Sequence, residues 1–142
     1  MFAAGDICEY ESVVHGGAVR IEHWDVAFNH GKTAALNMLG RDVAHAEVPY
    51  FYSVFADWGE LEYVGPAYAW NEEIVRGSLA DGEFTNWYLQ DGVVKAALTF
   101  GRSQDLDPAR ALIVAGEPLD EGQRAALADL DADLEALSAP PS

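Results

Sequence analysis

Gln90-Asp91-Gly92 separates two runs of apolar, aromatic and β-branched residues, 84–89 and 93–100. An Asp-Gly pair between such runs marks a tight hairpin, because its two central positions require positive φ and few residue types tolerate that. The middle of the chain is thereby committed to antiparallel pairing. The same punctuation extends in both directions. Residues 50–55 are dense in aromatics and read as a strand, with Asp57-Trp58-Gly59 as the turn after it. Leu61 and Tyr63 alternate with Glu60 and Glu62 as in a half-buried strand, which Gly65-Pro66 ends. Glu73-Ile74-Val75-Arg76-Gly77 makes another short strand and Asp81-Gly82 another turn. The expectation is an antiparallel meander of about five strands, with Trp58, Trp70 and Trp87 in its core.

Helices flank this sheet. After Gly101-Arg102-Ser103, Asp107-Pro108 reads as an N-cap followed by proline at the first helical position, with Gly116 as the stop. A last helix is expected over residues 120–137, with Leu127, Leu130, Leu134 and Leu137 on one stripe and the acidic residues mostly elsewhere. Residues 138–142 read as a flexible tail. On the N-terminal side, residues 23–39 place Trp24, Ala27, Phe28, Gly31, Ala35 and Met38 at helical spacing, with Asp25, Asn29, Lys32 and Asn37 largely opposite. Gly40 is the expected C-cap, and the small residues Ala27, Gly31 and Ala34 would let this helix lie close to a sheet. Residues 7–19 have no clear period and read as a loop.

Before that loop, the apolar run 2–4 ends in Gly5-Asp6. A short strand ending so places a carboxylate at the carboxyl end of a strand, where open α/β sheets bind ligands, and glycine permits close approach to the backbone. Asp6 could accept hydrogen bonds from sugar-like hydroxyls. The start of the helix, near Glu22 and His23, carries free N–H groups and the positive end of the helix dipole. The composition turns polar over residues 41–48, and the domain boundary is placed there.

Charge narrows the function classes. The 142 residues carry 24 acidic against 8 basic side chains, a formal net charge of -16. Nucleic acid and anionic membrane surfaces both require positive protein surface and are unsuitable partners. No run approaches a membrane span, and the first residues lack the pattern of a signal peptide, so a cytoplasmic location is expected. Cys8 is alone and cannot form an internal disulfide; it reads as a small buried residue or a reactive thiol. His15, His23, His30 and His45 show no metal-ligand spacing, and no metal is expected.

Phe2-Ala3-Ala4-Gly5-Asp6, followed by Arg20-Ile21-Glu22-His23-Trp24-Asp25 and then by Pro49-Tyr50-Phe51-Tyr52-Ser53, resembles the FAD-dependent NAD(P)H oxidoreductases of the ferredoxin reductase and apoptosis-inducing factor type. The resemblance implies an α+β fold: the antiparallel sheet with C-terminal helices, preceded by a strand-loop-helix remnant of an FAD-binding α/β domain. It implies domains at 1–45 and 46–137. It also implies flavin contacts by residue: Gly5 and Asp6 at the ribityl chain, Glu22, His23 and Trp24 at the polar edge of the flavin, and Tyr52 near its ring. His23 is alternatively a solvated helix-start residue, and Tyr52 alternatively a sheet aromatic. Hydride would pass from NAD(P)H to FAD and electrons singly to an acceptor such as a ferredoxin, with no residue here acting as acid or base. The chain has no Gly-x-Gly-x-x-Gly, and on the resemblance it is expected to start in mid-domain, so tight FAD binding and activity are expected only with the FAD-binding remainder of the enzyme. Two other readings stay open: a non-catalytic interaction or homodimerisation module, and one chain of a split flavoenzyme.

Overall fold

The computed structural model describes residues 1–138. The chain divides into two compact units, Met1–Phe51 and Tyr52–Ser142, with the division inside one strand.

The first unit holds a short hairpin and one helix. Strands β1 (Tyr10–Ser12) and β2 (Gly17–Val19) pair antiparallel, with Tyr10 opposite Val19. Residues 7–19 are therefore not a loop throughout. The Ser12 carbonyl accepts from the Gly16 N–H at 2.9 Å, and Gly16 has φ 68°. The turn thus closes locally, a signal that the aperiodic residues around it hide. Residues 2–4 form no strand, because no neighbouring strand among the described residues offers them a ladder. Helix α1 (Trp24–Met38) follows, and Gly40 with φ 75° donates to the Asn37 carbonyl beyond its end. Its buried face is Val26, His30 and Ala34. The expected apolar face is instead exposed at Trp24, Phe28 and Met38. Spacing fixes the helical period, but packing chooses the side: Tyr10 lies edge-on to His30, and Thr33 bonds His45 at 3.0 Å.

The second unit is built on a five-stranded antiparallel sheet. Its strands are β3 (Tyr50–Val54), β4 (Glu60–Val64), β5 (Glu72–Ser78), β6 (Glu83–Gln90) and β7 (Val93–Phe100). Their order is β3-β4-β7-β6-β5. This is not the simple meander expected. The segment after Gly65 carries the chain to the far edge, so β4 pairs with β7 rather than β5, with Val64 opposite Ala97. Gly65 makes the close approach possible: a Cβ there would lie 2.4 Å from the Lys95 carbonyl, and its φ is 106°. The β6–β7 turn is as the sequence implied, with Asp91 and Gly92 at φ 51° and 81°. Near that turn the register slips between Tyr88 and Leu89. The slip adds one residue to β7 and sharpens the local twist.

One sheet face presents Trp87, Leu89, Val94, Ala97 and Val64 to the helices and is buried to within 1% exposure. The other carries half-exposed aromatics, including the stacked pair Phe84 and Phe100 at 6.3 Å. Of the expected core tryptophans only Trp87 is buried. Trp58 sits in a hairpin tip at 82% exposure and Trp70 outside the strands at 45%. Turn position outweighs side-chain hydrophobicity there.

Helix α2 (Leu106–Ala115) begins two residues earlier than expected, after a 3₁₀ turn at Ser103–Asp105, so Pro108 is its third residue. That place is tolerated, since the first N–H groups of a helix have no internal partner. Gly116 ends it in the left-handed conformation, φ 65°. The expected final helix is two: α3 (Glu121–Ala128), opened by an Asp120/Gln123 capping box, and α4 (Leu134–Ser138). Leu127 and Leu134 are buried, whereas Leu130, on the intervening segment, is 56% exposed. Ser138 closes α4, and the rest of the expected tail lies outside the described residues.

Arg76 accounts for the break. Its guanidinium donates to the carbonyls of Ala126, Asp129, Leu130 and Ala132, drawing four acceptors out of helical registry. Asp129 and Asp133 then accept from the N–H groups two residues on, each at 3.0 Å, the local bonding by which aspartate competes with helix. Arg76 is 4% exposed and its Nε lies 3.7 Å from Asp105, itself 2% exposed. Asp105 also accepts from Thr85 at 2.6 Å and from Arg102 at 2.8 Å. Removing one partner of a buried pair leaves the other charge uncompensated. Arg76→Met is expected to cost about 3–5 kcal/mol in urea unfolding, with amide exchange rising first over residues 126–134.

Candidate functional site

The Gly5-Asp6 turn is fixed entirely through its backbone. The Gly5 N–H donates to Nδ1 of His30 at 3.3 Å, and its carbonyl accepts from the Cys8 N–H at 2.9 Å. The Asp6 carbonyl accepts from Arg20 at 3.0 Å. Gly5 has φ 84°, and a Cβ there would meet Ala27 at 3.7 Å, so the small side chain of Ala27 is what lets the turn rest on α1. Asp6 is exposed, and among the described residues its carboxylate has no hydrogen-bond partner. The turn therefore presents a free anionic acceptor on a fixed backbone.

Arg20 joins Asp6 to a second expected residue. Its other terminal nitrogen pairs with Glu22, so a single guanidinium spans the turn and the segment leading into α1. His23 is the N-cap: its extended backbone, φ -150°, aims Nδ1 at the Asp25 N–H, 3.3 Å away. The imidazole also lies edge-on to Phe51 at 5.3 Å. Trp24 starts the helix at 67% exposure, its ring parallel to Phe28, over which Lys32 sits at 4.3 Å. Gly5, Asp6, Glu22, His23 and Trp24 thus all lie in the first unit, with Arg20 tying Glu22 to the Asp6 backbone. Tyr52 belongs to the second unit, on edge strand β3, 43% exposed.

Two contributors were not singled out as site residues from sequence. Arg20 had a readable signal, since Arg20 and Glu22 two apart in an extended segment point the same way. His30 had another, as the one strongly polar residue on the stripe Val26, His30, Ala34. His30 lies 4.5 Å from both Tyr10 and His45 between ring centroids, beside a cavity of about 220 Å³ that Cys8 and Asn37 also line. Cys8 is half-buried rather than buried. Among the described residues, no group of three or more His, Cys, Asp or Glu could hold a metal ion, and no helix is long and apolar enough to cross a membrane.

Residues 56–138, comprising most of the sheet and all the C-terminal helices, match the family described as Reductase C-terminal. The chain belongs to that family. Its relatives include the ferredoxin–NAD(+) reductase component of the anthranilate 1,2-dioxygenase system of Burkholderia cepacia, 40% identical over 126 residues. That match covers 88% of this chain and 31% of the relative. Apoptosis-inducing factor 3 of Homo sapiens is 32% identical over 111 residues, 76% of this chain and 17% of that protein. Among solved structures, putidaredoxin reductase in its covalent complex with putidaredoxin superposes with a TM-score of 0.82 at 27% identity, covering 94% of this chain and 31% of that one. The chain thus spans a third or less of each relative. It corresponds to the C-terminal part of ferredoxin-reductase-like oxidoreductases, and its α+β sheet-and-helix domain is the family's reductase C-terminal domain.

Burial pushes both His30 and His45 below the ordinary imidazole value of 6.5; for His45 the neighbouring His30 adds to this and Glu47 partly opposes it. Both rings are neutral in the folded unit at neutral pH. Below 6.5 the unfolded chain takes up protons before the folded one does, so stability falls as pH drops. Urea unfolding followed through α1 amide resonances is expected to show a lower midpoint near pH 5.5 than near pH 7.5, and His30→Asn is expected to flatten that slope.

Proposed function

We propose that this chain supplies the flavin-facing turn and the C-terminal domain of an FAD-dependent NAD(P)H oxidoreductase that delivers electrons singly to an iron-sulfur acceptor such as a ferredoxin. The observation that carries the reading is the exposed, unengaged carboxylate of Asp6 on a turn held by His30, Cys8 and Arg20. A ribityl chain offers hydroxyl donors, and an anionic acceptor on a fixed backbone is the group to take them. Gly5 has φ 84°, a backbone conformation that side-chain-bearing residues rarely adopt, so the turn itself calls for glycine. FAD, when bound, supplies the hydride-accepting and electron-passing chemistry.

The residues of this chain bind and orient. Asp6 takes the ribityl hydroxyls. Glu22, His23 and Trp24 stand at the start of α1, where the helix dipole favours a flavin edge that gains negative charge on reduction. Tyr52 is the aromatic assigned to the flavin ring. Residues 1–45 act as the end of the FAD-binding domain and 46–137 as an interface domain capable of homodimer contact. A cytoplasmic setting suits a ferredoxin partner.

The remainder of the FAD site comes from residues that this chain does not contain, since it has no Gly-x-Gly-x-x-Gly to cradle a pyrophosphate. The outward face of α1, with Trp24, Phe28 and Met38 at 67%, 57% and 65% exposure, favours such a partner, whether joined in one polypeptide or supplied as a second one. FAD titrated into the chain alone is expected to show no saturable change in absorbance or fluorescence. Co-expression with the preceding two-thirds of the Burkholderia cepacia reductase component is expected to give a yellow complex. In it Asp6→Ala should weaken FAD about ten- to a hundredfold, the loss of one hydrogen bond to a charged group. Unchanged affinity would remove the ribityl assignment.

A further inference from the structure

His30 lies behind the Gly5-Asp6 turn, on the inner face of α1, at 6% exposure. Its Nδ1 accepts the hydrogen bond of the Gly5 amide at 3.3 Å, and among the described residues no other side chain does so. A backbone N–H can only donate, so Nδ1 must hold its lone pair and the ring proton must sit on Nε2. Nε2 is buried, with no hydrogen-bond partner among the described residues. The bond to Gly5 therefore exists in one protonation state only. A second proton would place an N–H on Nδ1 facing another N–H, and the turn would lose that tie.

We propose that neutral His30 is the positioning residue of the Gly5-Asp6 turn, so that the direction in which Asp6 presents its carboxylate is governed by a single proton on the ring behind it. The proposal rests on the reading of Asp6 as the ribityl acceptor and adds its regulation. The groups facing His30 come from three segments. From the hairpin and its approach come Tyr10, in edge contact at 4.5 Å, with Cys8 and Glu11 lining the shared cavity. From the segment after α1 comes His45, 4.5 Å away, with Glu47 beside it. On α1 itself Thr33 and Asn37 line the cavity and carry no charge. Burial opposes a charge on His30; Glu11, at the cavity rim, and Glu47, which acts on His45, are the acidic groups nearby. The ring stays neutral through the physiological range and releases the turn on acidification.

The test needs no flavin, which separates its failure from failure of the ribityl reading. Asn carries an oxygen in the place of the imidazole Nδ1 and does not titrate, so His30→Asn keeps an acceptor while removing the proton switch; His30→Leu removes the acceptor. Hydrogen exchange of the Gly5 amide, corrected for the intrinsic pH effect, and the ring ¹⁵N shifts of His30 are followed by NMR on the full chain from about pH 8 down to about pH 5. The expected results are an Nε2–H ring in the wild type and Gly5 protection that is lost in parallel with His30 titration. Protection should be retained without pH dependence in His30→Asn and be roughly tenfold weaker at every pH in His30→Leu, the worth of one hydrogen bond. Gly5 protection that survives protonation of His30, or the wild-type pH dependence persisting in His30→Asn, would overturn the proposal even where His30→Leu fails to fold. If Gly5 behaves as expected but Asp6→Ala leaves FAD affinity unchanged in the co-expressed complex, the turn mechanism stands and the ribityl assignment falls.

Discussion

The second unit is organised by a charge it cannot hydrate. Arg76 is on an edge strand, yet its side chain runs inward, where Asp105 neutralises it and four main-chain carbonyls receive its protons. The acceptors exist only if the chain after α3 leaves the helical path, and Asp105 is placed only if the sheet ends in the 3₁₀ turn that Arg102 and Thr85 also engage. One guanidinium thus joins the sheet, the approach to α2 and the α3–α4 connection. A hydrophobic pair of similar volume in place of both Arg76 and Asp105 would pack as well, since a buried ion pair is weak evidence of net stability. It would not specify where the last helix stops.

The first unit uses the same logic with a neutral group. His30 occupies a place on the buried stripe of α1 beside the aliphatic Val26 and Ala34, and it accepts the hydrogen bond of the Gly5 N–H. In both units a polar side chain inside the packing reads a main-chain geometry that hydrophobic contact alone leaves undetermined. The difference lies in the ionisation: guanidinium stays charged at any biological pH, whereas imidazole does not.

What the sequence disclosed follows from these distances along the chain. The Asp91-Gly92 turn and the Gly116 and Gly40 terminations are local, and each was legible because the residue type answers a backbone demand within a few positions. The neighbour of β4 was not, because the choice of β7 over β5 rests on the close backbone approach at Gly65, across more than thirty residues. The break of the last helix was hidden for the same reason, since a leucine stripe at helical spacing over residues 127–137 carries no sign of an arginine fifty residues upstream. At the proposed flavin site, Asp6, Glu22, His23 and Trp24 form a local pattern, around one turn and one helix start. The hold of His30 on Gly5 spans 25 positions and shows in sequence only as a histidine on the wrong face.

The separation between Arg76 and its acceptors, up to 56 residues, has a consequence for synthesis on the ribosome. Chains grow at about 5–20 residues per second, so Arg76 leaves the exit tunnel several seconds before Ala132 does. During that interval the strands of the sheet are available to pair, while the guanidinium has no carbonyls to receive it and must stay in water. The edge strand that carries it cannot settle until the C-terminal segment arrives. The domain is therefore completed from its far end, and translation pauses between these two positions would lengthen the time for which an unfinished sheet edge is open to other chains.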